Sequence, residues 1–165
     1  MNWRIEEREA FEVFGIERIF GKDKMGEIPG FWTECQQNGE ENRLVAASGQ
    51  ECVKSGALLI KGICGYREDI DYDNQFAYML GVYKTEKSNT AGYTTTTIPK
   101  STWAVFRSDK IDGFGAAIPT LFSRAYSEWL PTSDYDKSNT ADLEVYYMAE
   151  DGSFYEEVWI PVKKR

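Results

Sequence analysis

The chain states one pattern twice, and that repetition limits its possible folds more than any other feature. Phe11-Glu12-Val13-Phe14 precedes Ile28-Pro29 and an aromatic helix start at Phe31-Trp32; Trp103-Ala104-Val105-Phe106 precedes Ile118-Pro119 and a second such start at Leu121-Phe122. The first segments lie 92 residues apart and the second 90. Gly65-Tyr66 through Met79-Leu80-Gly81 aligns with Val145-Tyr146 through Trp159-Ile160-Pro161 at an offset of 80. A repeat near half the length of a 165-residue chain predicts two copies of one supersecondary unit. Two such copies meet at a pseudo-two-fold seam, and junctions of this kind are where pockets form.

Local patterns supply the elements. Residues 3–20 alternate roughly, as a strand bent near Gly15 would. Ile28-Pro29 opens a helix from about Phe31 to Asn38 or Asn42, and the small, polar stretch 43–57 predicts a loop. Ala57–Tyr66 and Phe76–Tyr83 read as a hairpin around an acidic turn. That turn alternates Asp69, Asp71 and Asp73 but fails as a calcium loop: Asn74 replaces the turn glycine, and Leu80 sits where the bidentate Glu belongs. Strands follow at 93–98 and 102–108. Ile118, Leu121, Phe122, Ala125, Tyr126 and Trp129 fall at helical spacing within 117–130, a helix that Pro131 stops. Asp142–Glu150 and Phe154–Val162 flank Asp151-Gly152, a strong hairpin signal. The order β-α-β-β, given twice, predicts an α+β fold: one antiparallel sheet with helices on one face and a ligand cavity between the repeats. A single domain holds repeat one (about 1–84), a linker (85–92) and repeat two (about 93–165).

Composition narrows the chemistry. There are no histidines, which removes Ser-His-Asp and Cys-His catalysis and the commonest zinc ligand. Cys35, Cys52 and Cys64 lack CxxC spacing and read as reduced thiols of a cytoplasmic protein. No metal and no cofactor is expected. The net charge of −8 argues against direct nucleic-acid binding and suits a cationic ligand. No apolar run is long enough to cross a membrane. Ten Tyr, nine Phe and five Trp exceed what a small core needs, so some are expected to line a pocket.

The final hairpin is where carboxylates and rings converge. Along Leu143-Glu144-Val145-Tyr146-Tyr147, Glu144 and Tyr146 share a face; on the partner strand, Glu157 and Trp159 share one. With Val145, Val158 and Ile160 packed under the helices, the opposite face carries Glu144, Tyr146, Glu157 and Trp159, the composition of an aromatic cation site. Trp103 and its first-half counterpart Phe11 are further wall candidates, as is Tyr66.

Taken in order, several segments resemble the GyrI-like small-molecule-binding domain, also called the AraC-type or bacterial transcription activator effector-binding domain. They are Phe11-Glu12-Val13-Phe14-Gly15, Ile28-Pro29-Gly30-Phe31-Trp32, Gly62-Ile63-Cys64-Gly65-Tyr66 and Ile98 through Phe106. Trp129 through Tyr135, Leu143-Glu144-Val145-Tyr146 and Ile160-Pro161-Val162 complete the set. The resemblance implies a duplicated unit enclosing a cavity for small lipophilic, often cationic compounds. It implies that Glu144, of the family's Glu-x-Tyr strand, is the acidic residue at the pocket base, with Glu157 and Trp159 contributing from the last strand. Many relatives carry a helix-turn-helix; this chain has no room for one and no basic face, so a stand-alone module with an unknown protein partner, if any, is the expectation. Arg107-Ser108-Asp109 stands where relatives often place a glycine. The family also contains hydrolases of electrophilic small molecules, a chemistry for which Glu144 and Tyr146 are the available pair. Its name implies a third role, interaction with a gyrase.

Overall fold

The structure is a computed structural model describing residues 2–49, 60–65, 70, 71, 73–138, 140–148 and 151–165, with the backbone alone for 60–65 and 148. Among the described residues nine strands form one antiparallel sheet. β1 (Asn2–Arg8) and β2 (Phe11–Gly21) precede a 3-10 segment (Lys22–Glu27), α1 (Ile28–Gln37) and α2 (Glu40–Ala47). β3 (Ile60–Gly65), β4 (Gln75–Tyr83), β5 (Thr94–Ile98) and β6 (Ser101–Arg107) follow. α3 (Ile118–Arg124) passes through a π-helical turn (Ala125–Trp129) into α4 (Leu130–Thr132), and β7 (Tyr135–Lys137), β8 (Asp142–Met148) and β9 (Phe154–Lys164) complete the chain.

Strand order across the sheet is β1-β6-β9-β8-β3-β4-β2-β5, with β7 against the end of β9. Exchanging β2, β3 and β4 for β6, β8 and β9, and β1 for β5, reproduces the same order. The repeat in the sequence therefore reappears in the topology, with one twist. β1 pairs with β6 of the second half, and β5 pairs with β2 of the first.

The two faces of the sheet bury different things. On one, Phe31, Cys35 and Leu44 of α1 and α2 pack on Phe14, Tyr78, Leu80 and Val82, while Ile118, Leu121, Ala125 and Trp129 pack on Ala104, Phe106, Val158 and Ile160. On the other, the sheet curls until its ends share a core: Val13 and Ile98 from one end cluster with Trp103, Val105 and Trp159 from the other. The single strand expected over 3–20, bent near Gly15, is two strands: the chain breaks at Glu9-Ala10, and β2 runs on through Gly15, where it makes a close crossing. Gly15 faces Gly81 in the β2–β4 ladder, and a Cβ at Gly15 would collide with the Leu80 carbonyl.

Further local expectations differ. Residues 43–47, expected as loop, belong to α2; Gly39, in the left-handed region at φ 78°, breaks the chain's first helix from the second. The eight residues of α2, set off by a glycine, present too little apolar periodicity to be legible on their own. Pro131 does not end its helix at once. The π turn lets the Leu130 N–H reach the Ala125 carbonyl, five residues back, and helical backbone runs on to Thr132. Ala57–Leu59 and Tyr66 lie outside the described residues, as does Asp69 of the acidic turn. Asp71 closes that turn by accepting from the Asp73 N–H (3.2 Å) and the Asn74 amide (2.7 Å). Cys35 is a buried free thiol, and burial pushes its pKa up to about 11.

Candidate functional site

Between α1 and α3, above the middle of the sheet, lies a cavity of about 670 Å³. Small-molecule pockets run from about 300 to 1,000 Å³. The repeated Ile-Pro pairs face one another across it: Ile28 and Pro29 open α1 on one side, Ile118 and Pro119 open α3 on the other. Proline suits a first helical turn because its missing N–H would have had no intrahelical acceptor. Each helix thus enters at the cavity rim and sends its next turn along the wall, Trp32 from α1 and Phe122 and Tyr126 from α3. Phe114 and Gly115 close one side from the loop before α3.

The floor comes from the sheet. Asp142, Glu144 and Tyr146 alternate along β8 and all line the cavity, as does Tyr78 from β4. β3 runs between those strands, and the residue opposite Glu144 on it is Gly62. With no side chain at that position, Tyr78 reaches across: its hydroxyl donates to Glu144 Oε2 at 2.8 Å. The Tyr146 hydroxyl donates to the same oxygen at 2.5 Å, and Trp32 Nε1 donates to the Tyr78 hydroxyl at 2.8 Å. Rings surround this relay. Phe114 stacks on Tyr146 with centroids 4.6 Å apart, and Trp32 meets Tyr146 edge-on at 5.3 Å.

Electrostatics at the floor are one-sided. Desolvation raises the Glu144 carboxyl above its ordinary range, against the pull of the Tyr146 and Tyr78 hydrogen bonds, and the neighbouring charges of Glu156 and Asp142 add to the rise. Among the described residues no cation pairs with Glu144. Burial likewise raises Asp142, against Lys137 and the Tyr126 hydrogen bond. Glu156, opposite Tyr146 in the ladder, spends its carboxylate on the Gly115 (2.6 Å) and Ala117 (2.8 Å) amides, pinning the Phe114 loop and the start of α3. An anion at a helix N-terminus satisfies amides that have no partner in the helix.

The expected grouping of Glu144 and Tyr146 with Glu157 and Trp159 does not form. The β8–β9 register pairs Glu144 with Val158, and Val145 with Glu157. Directly paired residues share a face, so Glu157 and Trp159 project to the opposite side of the sheet. There Glu157 is fully buried and satisfied, accepting from Arg4 (2.7 Å), Arg107 (3.0 Å), Tyr147 (2.8 Å) and Trp159 Nε1 (3.2 Å). Burial pushes its pKa up, but the Arg4, Tyr147 and Arg107 hydrogen bonds and the Arg4 charge outweigh it, and the carboxyl titrates below its ordinary range. Trp103 is buried beside Trp159, centroids 5.9 Å apart. Phe11 lies under the Arg8 guanidinium at 4.5 Å, which also faces Trp159 at 5.5 Å. These four residues line a core already holding its own cations, not the cavity. Tyr66 lies outside the described residues. Sequence reasoning missed Trp32, Tyr78, Phe114, Tyr126 and Asp142 as site residues. Asp142 and the Ile-Pro repeats carried a usable signal: one shares the Glu144 face, and the others mark both rims.

A model of the integron-associated effector-binding protein family, Cass2, matches residues 4–162. Solved structures share the fold. One, SAV2435 bound to tetraphenylphosphonium, is 20% identical with a TM-score of 0.77 over 99% of this chain and 94% of its own. A candidate bacterial transcription regulation protein from Staphylococcus aureus MU50 is 19% identical, TM-score 0.73, covering 99% of both chains. The integron cassette protein VCH_CASS2 from the mobile metagenome of Vibrio cholerae is 16% identical, TM-score 0.65, over 98% of this chain and 95% of its own. No curated protein matches the chain. No helix among the described residues is long and apolar enough to cross a membrane.

Proposed function

We propose a function from one premise: this chain belongs to the integron-associated effector-binding protein family. It binds small lipophilic cations in the cavity between α1 and α3, with Glu144 as counter-ion. The observation that carries this reading is a recessed carboxylate, braced by two phenols and ringed by Trp32, Phe114 and Tyr146, that has no cation of its own among the described residues. Such a group is costly when ionised, and a positively charged ligand offsets that cost. Aromatic faces add attraction of about 0.5–2 kcal/mol per ring, more when dry. The tetraphenylphosphonium found on a relative of the same fold has this chemistry. The family's effector-binding description agrees with it.

Calorimetric titration of wild type and Glu144→Gln with tetraphenylphosphonium and with neutral triphenylphosphine oxide tests the assignment. Glutamine keeps an acceptor for both phenols and removes only the charge. The cation is expected to lose about tenfold or more in affinity, the equivalent of a charge-assisted contact of about 1.5 kcal/mol or more. The neutral compound should change little. Equal losses for both would remove Glu144 as the counter-ion.

A further inference from the structure

One end of the cavity carries a second acidic and aromatic pair that the reading above leaves unused. Asp142 lines the cavity two residues before Glu144 on the same face of β8, and Tyr126 lines it from the π turn of α3. The Tyr126 hydroxyl donates to Asp142 Oδ2 at 2.7 Å. A cation is already seated against this pair: the Lys137 ammonium stands 3.4 Å from Asp142 Oδ1 and 5.8 Å from the centre of the Tyr126 ring. Lys137 belongs to the short strand β7, does not line the cavity, and keeps contact with solvent.

We propose that Asp142 and Tyr126 form a second cation subsite, so that the preferred ligands carry two positive centres, one at Glu144 and one at Asp142, with Lys137 holding the second place until a ligand displaces it. The inference rests on the cationic reading of the Glu144 site. Three features support it. First, carboxylate and ring are arranged at Asp142 as at Glu144, a phenol donating to the acid beside an open aromatic wall. Second, Lys137 shows that the arrangement accepts an ammonium, by carboxylate and ring together. Third, Asp142 and Glu144 are neighbouring carboxylates on one face of β8 and both line the cavity, so a dication can pair with both at once where a monocation pairs with one. Residues two apart on a strand are separated by about 7 Å, which sets the distance between the two charges of a matching ligand.

The test uses the full chain and alkane bis(trimethylammonium) ions of increasing length, each compared with the alkyltrimethylammonium ion of equal length, by calorimetry at fixed ionic strength. The dication is expected to bind about tenfold more tightly than its single-charge counterpart, with an optimum at a short linker matching the carboxylate spacing. Asp142→Asn should erase that advantage, so that dication and monocation of equal length bind alike, and Lys137→Ala should widen it. Should Asp142→Asn fold poorly, Tyr126→Phe, which removes the phenol that braces Asp142, should reduce the dication advantage. A dication advantage that is absent, or that survives both substitutions, overturns the second subsite with the Glu144 reading intact. If neither series nor tetraphenylphosphonium binds, the underlying cation site fails and this inference with it.

Discussion

Tyr78 and Glu144 meet across a strand to which neither belongs. Tyr78 lies on β4 and Glu144 on β8, and the 2.8 Å hydrogen bond between them spans β3. The contact joins the first half of the sequence to the second at the cavity floor, and Trp32 of α1 holds its outer end by donating to the same hydroxyl. The phenol therefore does two things at once: it stabilises the ionised carboxylate and fixes its direction.

Removing that phenol separates charge stabilisation from ring burial. Tyr78→Phe keeps the ring in its cluster with Phe20 and Phe31 and deletes one donor to Glu144. The carboxyl pKa should rise further, and tetraphenylphosphonium affinity at neutral pH should fall about three- to tenfold, in line with one hydrogen bond to a charged group. Titrations across pH check this. The midpoint of the binding curve should shift upward in the variant, whereas an unchanged midpoint would mean the phenol does not sense the charge.

Acid should act oppositely on binding and on stability. Glu144, Asp142 and Glu156 all titrate above the ordinary carboxylate range, with burial as the largest cause in each. The folded protein thus binds these protons more tightly than the unfolded chain, and stability falls as pH rises from the ordinary carboxylate range through the raised values. The ligand-free protein should gain melting temperature on mild acidification through that window. Tetraphenylphosphonium prefers the ionised form, so its stabilising shift should be largest above the window and fade within it. Thermal melts with and without the ion, over a pH series, read both trends.

The opposite face supplies a contrast. Glu157→Gln leaves Arg4 and Arg107 facing a neutral group in the second core. Breaking a buried pair costs about 3–5 kcal/mol, and partial exposure of both arginines places the expected loss nearer 2–3 kcal/mol. Chemical denaturation should show that loss, while tetraphenylphosphonium affinity of the folded variant stays within about twofold of wild type. A binding defect as large as that of Glu144→Gln would return Glu157 to the ligand site.

Alternation along β8 was enough to place Glu144 and Tyr146 together, because side-chain direction within one strand follows from its own sequence. Which residues of β9 join them depends on pairing across the hairpin, and a one-residue change of register exchanges the faces. That is why Glu157 and Trp159 were assigned to the wrong side while Glu156, one position earlier, was the acid facing the helices. Trp32, Tyr78 and Phe114 converge from α1, β4 and a loop, and no local pattern relates them. The duplicated Ile-Pro starts carried more than their local meaning, since proline at each helix entry marked both rims of the cavity. The alternation of strands with a helix was legible in both halves, whereas the split of residues 3–20 into β1 and β2 and the exchange of β1 and β5 were not: hydrophobic alternation shows that a strand needs a neighbour, not which neighbour it takes.

That exchange ties the two halves into a reciprocal clasp. Each lends its leading strand to the other's border, through the β1–β6 and β5–β2 ladders. Severed in the connection after Tyr83, the first fragment would surrender the mate of β1 and the second the mate of β5, leaving raw borders on both. The duplicated unit is an interlocked pair by construction, each half completing a border of the other.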